Sequence, residues 1–460
     1  MIHKFTVDNT NLVLDVYSGA VHEVDALVMD ALDFFGDKRP ESAEAPAELI
    51  KALSAKYPEE DIRDACSDIY ELCGEGLLYT EDEYAEYAKK LKKKSVIKAL
   101  CLHIAHDCNL RCKYCFAGTG SYSGERSLMP LEVGKRAIDF VIERSGNRKN
   151  IEVDFFGGEP LLNFEVVKEI VRYARSREEE SGKRFRFTVT TNGLLLDEDK
   201  KKFINENMSN IVLSLDGRRE VNDRVRRRVD GTGCYDSIVS RFIDMADSRG
   251  QDNYYVRGTF TRYNLDFSKD VLHFADLGFK QISIEPVVAD ESEDYSIREE
   301  DIPAICAEYE SLAAEYIRRR REGRGFNFFH FMVDLEGGPC VAKRLSGCGS
   351  GHEYVAITPD GDIYPCHQFV GGEELKMGNI FENTFDEEIK EKFQSANVYT
   401  KPSCADCFAK FYCSGGCPAN AYKYCGDINK PLGITCELQR KRTECALYCA
   451  VKLQEMKNGQ

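Results

Sequence analysis

The 460-residue sequence has no uninterrupted apolar run near the ~18 residues that a membrane span needs. Its opening, MIHKFTVDNTNLVLDV, lacks the apolar core of a secretory signal, so a cytoplasmic location is expected. No low-complexity tract and no repeat of roughly 20–50 residues is present, which excludes fibrous and solenoid designs. Positive charge is also short. The net charge is −16, and residues 1–90 hold 8 Lys and Arg against 21 Asp and Glu. Such a surface repels nucleic acid, so neither nucleic acid nor a membrane is expected as a partner.

What remains is a globular composition, 43% apolar and 30% charged, long enough for two to four domains. Cysteine stands out at 19 residues, eleven of them after position 339. In a reducing compartment clustered thiols serve metals or catalysis more often than disulfides, and an odd total fits a disulfide framework poorly. Cys66, Cys73, Cys234 and Cys306 lie in helix-like apolar patterns and read as small core residues.

Three regions follow from the patterning. In residues 1–92, KFTVDNTNLVLDVYSG alternates like a hairpin around Asp-Asn-Thr-Asn, and two stretches have apolar residues at helical spacing. Gly74 and Gly76 end the second helix, and LLYT is expected to return as a strand, giving a winged-helix-like α+β unit. YAKKLKKKSV reads as a charged connector, with a boundary near residue 95. Residues 93–325 then alternate: strand-like IKALCLHIA, IEVDFFG, FRFTVTTN, NIVLSLDG, YYVRGTFT and QISIEPVV are separated by amphipathic helices. Six β/α units predict an α/β fold, a partial (β/α)6 TIM-type barrel with its chemistry at the strand C-termini. After about residue 325 that rhythm is lost. The turn-rich, Cys-rich remainder, 326–460, has too little aliphatic content for an ordinary core and is expected to need metal.

The suggestive residues fall where barrel chemistry is expected. HDCNLRCKYCFAG follows the first strand and places Cys108, Cys112 and Cys115 within eight residues. GGEP, TTNG and SLDG follow the second, third and fourth. Three thiolates on a cubane cluster leave one iron open for a substrate group, whereas zinc would borrow a distant fourth ligand. The Cys-x3-Cys-x2-Cys spacing, with Tyr114 before the last Cys, resembles the radical S-adenosylmethionine (SAM) superfamily. That resemblance implies SAM chelated to the open iron and cleaved to a hydrogen-abstracting 5′-deoxyadenosyl radical. Gly157, Gly158 and Glu159 match the family's SAM-ammonium motif, the glycines letting backbone approach and Glu159 supplying a carboxylate; a plain turn is the alternative. Asn192 and Ser214 are placed toward the cofactor's polar parts. Arg226 resembles the residue that meets the SAM carboxylate, with Arg224, Arg227 and Arg228 as competitors and a solvated charge run as the alternative.

Cys348, Cys366, Cys404-x2-Cys407-x5-Cys413-x3-Cys417 and Cys436 resemble the seven-cysteine SPASM extension, with paired zinc ribbons as the alternative. The resemblance implies two auxiliary 4Fe–4S clusters and three in all. One would be held by Cys348, Cys366 and Cys417, with Cys340 as a further candidate ligand. The other would be held by Cys404, Cys407, Cys413 and Cys436. Cys425, Cys445 and Cys449 stay unassigned. A small α+β unit ahead of such a core resembles the RiPP recognition element, which grips a precursor's leader by strand addition. Together with GGPC, GCGSG and YPCHQFVGG, the whole resembles maturases of SCIFF peptides, within the sactipeptide and ranthipeptide synthases. That implies thioether formation between Cys sulfurs and acceptor carbons of a Cys-rich precursor, with flavodoxin or ferredoxin as electron donor. Rival readings are a sulfatase-type maturase forming formylglycine and a metal-containing winged-helix regulator.

Overall fold

The computed structural model describes residues 1–90, 95–122, 124–335 and 341–458. Strands β1 (Ile2–Val7) and β2 (Thr10–Asp15) form the expected hairpin. Asp8 and Asn9 both take positive φ, 48° and 58°, the turn whose twist suits a right-twisted hairpin. A short β3 (Val21–Val24) pairs with β2, and helices α1 (Ala26–Phe35), α2 (Ala47–Leu53) and α3 (Glu59–Gly74) follow. Alternation gives β2 two apolar faces: Val13 packs with α1–α3, while Leu12 and Leu14 join the core of the main body.

Leu77–Thr80 does not return as a strand. Instead Thr80 donates from its backbone N–H and its hydroxyl to the buried Asp15 carboxylate, which also accepts from Ser18. The charged connector falls largely on residues 91–94, outside the described residues.

The six expected barrel strands are all present. In chain order the strands from here are β4 (Ala99–Ala105), the short β5 (Leu110–Cys112), β6 (Asn150–Gly157), β7 (Arg184–Thr191) and β8 (Asn210–Ser214). Then come the short β9 (Arg226–Arg228), β10 (Tyr254–Phe260), β11 (Gln281–Pro286) and β12 (Asn327–Phe328). β4, β6, β7, β8, β10, β11 and β12 are parallel neighbours in that order. This is an α/β fold with a mostly parallel sheet. Ile151, Val153 and Phe155 of β6, and Phe185, Phe187 and Val189 of β7, are buried in the main core. The intervening Phe156, Thr190, Ser214, Arg257 and Thr259 line a cavity instead. The inward face is thus too polar to close as a filled barrel core.

The Cys-rich region does not stand alone, contrary to its aliphatic poverty. β13 (Tyr354–Ile357) pairs in parallel with β4, and β14 (Asp362–Tyr364) and β15 (Gly378–Asn379) extend the same ten-stranded sheet. Val355, Ile357, Ile363 and Met377 share the barrel's core. Helix Gly433–Asn458 packs along helix Ile302–Arg321 and carries the N-terminal sheet: Glu444 meets His3 at 2.9 Å, Tyr448 donates to Asp8 at 2.9 Å and Lys452 pairs with Glu23 at 2.6 Å. Of the cysteines read as core, Cys66, Cys73 and Cys234 are buried, whereas Cys306 is only partly so. Cys445 and Cys449 are buried in helix Gly433–Asn458. Among the described residues no helix is long and apolar enough to cross a membrane.

Asp15 offers a test of the N-terminal unit. Burial raises its pKa, but the Thr80 and Ser18 hydrogen bonds outweigh that and leave it below the ordinary value. A depressed folded pKa contributes stability that is complete above the unfolded value near 3.9 and is lost as pH falls through the folded one. Asp15→Asn should therefore cost about 1.5–3 kcal/mol at pH 7. The gap to the parent should persist down to about pH 4 and close only as pH falls further, read from hydrogen-exchange protection of β1 and β2 at pH 7 and through the acid range.

Candidate functional site

The loop after β4 is tied down from several sides. Asp107 Oδ1 accepts from the Cys108 N–H at 2.7 Å and pairs with Arg126. β5 runs antiparallel to β9, which sets Cys112 opposite Arg226. Cys108, Cys112 and Cys115 then face one pocket of about 130 Å³, together with Tyr114, Gly157, Gly158, Asn192, Ser214 and Arg226. Burial pushes the Cys108 thiol up to about 11 and the Cys112 thiol up to about 12. These thiols ionise only when a positive centre meets them.

The glycines have a structural reason. A Cβ at Gly157, where φ is +119°, would lie 2.3 Å from the Ala105 carbonyl oxygen, and one at Gly158 would lie 2.0 Å from that of Asp107. The space they leave is filled by the cysteine loop itself, since Gly158 N–H donates to Ala105 at 2.7 Å and Glu159 N–H to Asp107 at 2.9 Å. Glu159 does not line the pocket. Its buried carboxylate accepts from Leu161 N–H at 3.0 Å, Thr191 Oγ1 at 2.8 Å and Asn192 N–H at 2.8 Å, tying the end of β6 to that of β7. Asn192 Nδ2 in turn lies 3.7 Å from Cys108 Sγ.

Of the four clustered arginines, Arg226 alone reaches the pocket wall. It donates to Tyr114 Oη at 3.0 Å, Tyr114 donates to Asp216 at 2.6 Å, and the buried Arg226 Nε has no partner in the protein. Arg224 stacks on Tyr263 at 3.5 Å, and Arg228 donates to Ser237.

The pocket shares Tyr114, Phe116, Ser214 and Arg226 with a larger chamber of about 550 Å³, whose lining also includes Cys413, Cys417 and Cys436. The remaining thiols form two sets by mutual electrostatic influence. Cys366 feels Cys417 and Cys348, while Cys436 feels Cys413, Cys404 and Cys407. Cys340 lies outside the described residues. Between the sets sits Lys401, buried, its ammonium donating to the Gly415 carbonyl at 2.6 Å with Cys404, Cys413, Cys417 and Cys348 around it. Among the described residues no three His, Cys, Asp or Glu side chains converge on the position of a single metal ion.

Lys401 carries no sequence signal, because only the fold brings it between thiols distant in the chain. His367 does: it adjoins Cys366, and the structure sets it in tilted contact with Phe156 at 4.9 Å and Phe116 at 5.4 Å in the chamber wall. Burial lowers its pKa to about 4, so it is neutral at pH 7. Glu285 and Arg442 also face the chamber, paired at 3.1 Å.

Residues 102–265 match the model of the radical SAM superfamily, and residues 348–408 match that of the iron–sulfur cluster-binding SPASM domain. The chain carries a radical SAM domain and a SPASM domain. SAM and iron–sulfur clusters are the cofactors of that pair. A cysteine-type anaerobic sulfatase-maturating enzyme of Clostridium novyi is 25% identical over 68% of this chain and 86% of its own length. The radical SAM cyclopropyl synthase TigE of Paramaledivibacter caminithermalis is 23% identical over 75% of this chain and 74% of its own. Among solved structures, anSMEcpe with bound AdoMet and Kp18Cys peptide superposes with a TM-score of 0.64 at 20% identity, covering 78% of this chain and 99% of that one. Streptococcus suis SuiB bound to S-adenosylmethionine gives 0.51 at 16% identity over 94% and 98%.

The residues of the radical SAM domain fit those cofactors. Three thiols border one pocket, tight glycines fix their loop, and a buried guanidinium nitrogen waits without a partner. Gly158→Ala forces the cysteine loop away from β6, because the clash is with backbone that cannot rotate aside. SAM affinity should fall at least about tenfold, some 1.4 kcal/mol. Gly74→Ala, where a Cβ meets nothing within 4 Å, should leave it unchanged. Equilibrium dialysis of anaerobically reconstituted protein reads both.

Proposed function

We propose that the chain is a peptide maturase that installs thioether cross-links between Cys sulfurs and acceptor-residue carbons of a Cys-rich, ribosomally made precursor. The observation that carries this reading is the shared chamber, which adjoins the Cys108–Cys115 pocket and is also lined by Cys413, Cys417 and Cys436. Cys108, Cys112 and Cys115 would hold the SAM-binding cluster, and Arg226 with Ser214 would meet the SAM carboxylate. Cys348, Cys366 and Cys417, with Cys340 as a further candidate, would hold one auxiliary cluster. Cys404, Cys407, Cys413 and Cys436 would hold the other. When bound, SAM and a reduced cluster supply hydrogen-atom abstraction.

The chain's own residues orient and insulate. Tyr114, Asp216 and Arg226 form a buried hydrogen-bonded wall between pocket and chamber, and His367 lies against Phe116 and Phe156 in the chamber wall. In thioether formation the C–H hydrogen leaves as an atom and the S–H hydrogen as a proton, so one electron is left over. The chamber-wall cysteines are where a group able to accept it would be held. An adjoining groove of about 350 Å³, sharing Val287, Val288 and Leu438 with the chamber, gives a peptide a way in. Residues 1–90, with a sheet edge at β3, supply a leader-binding unit.

Formylglycine formation is the second reading, favoured by the sulfatase-maturating relative in Clostridium novyi. Coexpression with a short Cys-rich peptide encoded beside the chain separates the two by mass spectrometry. A cross-link keeps the sulfur and loses two hydrogens, whereas formylglycine replaces the sulfur with an aldehyde oxygen.

Replacing Cys108, Cys112 and Cys115 together by Ala should remove about four irons per chain and abolish dithionite-driven SAM cleavage. Stoichiometric zinc without acid-labile sulfide in the anaerobic parent would refute the cluster assignment. Deleting residues 1–90 should leave SAM cleavage largely intact while weakening modification of the full-length precursor. Equal modification by the truncated and intact chains would remove the leader-binding role.

A further inference from the structure

The chamber has more positive charge than its own carboxylates use. Among the described residues its Asp, Glu, Lys and Arg lining is Asp216, Arg226, Arg257, Glu285 and Arg442. Arg226 meets Tyr114 and the neighbouring Asp216 and is the group proposed for the SAM carboxylate, and Arg442 donates to Glu285. Burial works to raise the Glu285 pKa, but His330, Arg442 and Arg257 bring it down to about 2, so it remains charged. Arg257 is the guanidinium left over. Among the described residues it makes no side-chain hydrogen bond and no ion pair, and it is exposed into the chamber, although it stands mid-strand in β10. Parallel pairing sets it level with Ser214 of β8 and Ser283 of β11.

We propose that Arg257 anchors a carboxylate of the peptide inside the chamber, so that an acidic group beside the reacting residue is part of what this enzyme selects. The inference rests on the peptide-maturase reading and deepens it. A guanidinium in a partly desolvated cavity holds a carboxylate through two parallel N–H···O bonds, a geometry that neither Lys nor water reproduces. The SAM carboxylate is the other anion to weigh, and placement argues against it. The thiol-bordered pocket has Arg226 in its wall and not Arg257. Arg257 lines the chamber instead, together with Glu285, which feels its charge. The carboxylate has two sources, an Asp or Glu side chain and a peptide C-terminus, and both present the same group.

The experiment is ligand-observed NMR titration of the anaerobically reconstituted full chain with SAM, using capped tripeptides. The probes are acetyl-Gly-Asp-Gly-amide, acetyl-Gly-Glu-Gly-amide, acetyl-Gly-Asn-Gly-amide and the free acid acetyl-Gly-Asn-Gly. The parent should bind at least one carboxylate-bearing tripeptide about tenfold or more tightly than the uncharged one. Arg257→Gln should bring that ratio to near one, and Arg257→Lys should keep part of it; iron content shows that both variants are folded. A preference for the free acid alone would assign the anchor to a C-terminus. No carboxylate preference in the parent, or one that survives Arg257→Gln, overturns the proposal. So does a loss of SAM affinity in Arg257→Gln without any carboxylate preference, which would assign the residue to SAM. The titration involves no turnover, so it stands apart from failure of the cross-linking reading, which the peptide's mass change reports.

Discussion

Two stretches of backbone lie closer together in this protein than any side chain between them would permit. Gly157 and Gly158 press the end of β6 against Ala105 and Asp107, and two backbone hydrogen bonds hold the contact. Everything on the pocket wall takes its position from it. Cys108 follows Asp107 directly, β5 carries Cys112 across to Arg226, and Glu159 passes the constraint on to Asn192 and β7. A site that must place three thiols around one group needs such a fixed edge, because loop residues free to move would lose the geometry that ligation demands.

A second constraint is the polar inward face of the sheet. A filled (β/α) barrel packs branched aliphatics inside. Here Thr190, Ser214, Arg257, Thr259 and Glu285 occupy inward positions, and aromatic rings and SPASM cysteines complete the lining. The polar lining leaves a chamber where an apolar one would collapse, and low-dielectric walls sharpen each charge within it. Lys401 applies the same physics to the two sets of SPASM thiols. One buried ammonium lies within electrostatic reach of both sets, so its charge favours negative charge on either of them.

Much of this was legible in the chain. All six barrel strands were legible as strand-like runs; β6, β7, β8 and β10 alternate between buried and less buried positions, whereas β4 is buried along both faces. The spacing of Cys108, Cys112 and Cys115 was visible because loop ligands sit close in sequence. Short elements escaped: β3, α2 and β13 have too few residues to show a period, and β13 owes its state to the exposed edge of β4. The direction of Glu159 was not legible either, because two of its three hydrogen-bond donors, Thr191 and Asn192, come from the next β/α unit. Arg257 was written in YYVRGTFT as a charge at an inward strand position, but its lack of a partner is a property of the assembled chamber. Leu77–Thr80 misled, as an apolar–polar run that is consumed by capping Asp15.

The N-terminal sheet docks on residues that are synthesised much later. His3 to Glu444 spans 441 positions and Asp8 to Tyr448 spans 440. At about 5–20 residues per second, the ribosome needs roughly 20 to 90 s to deliver that partner helix. During that interval Leu12 and Leu14 have no main body to cover them, while Val13 and the helices behind it already form a core of their own. The first ninety residues therefore wait with one apolar face uncovered, and their surplus of acidic residues works in the meantime to keep nascent chains apart.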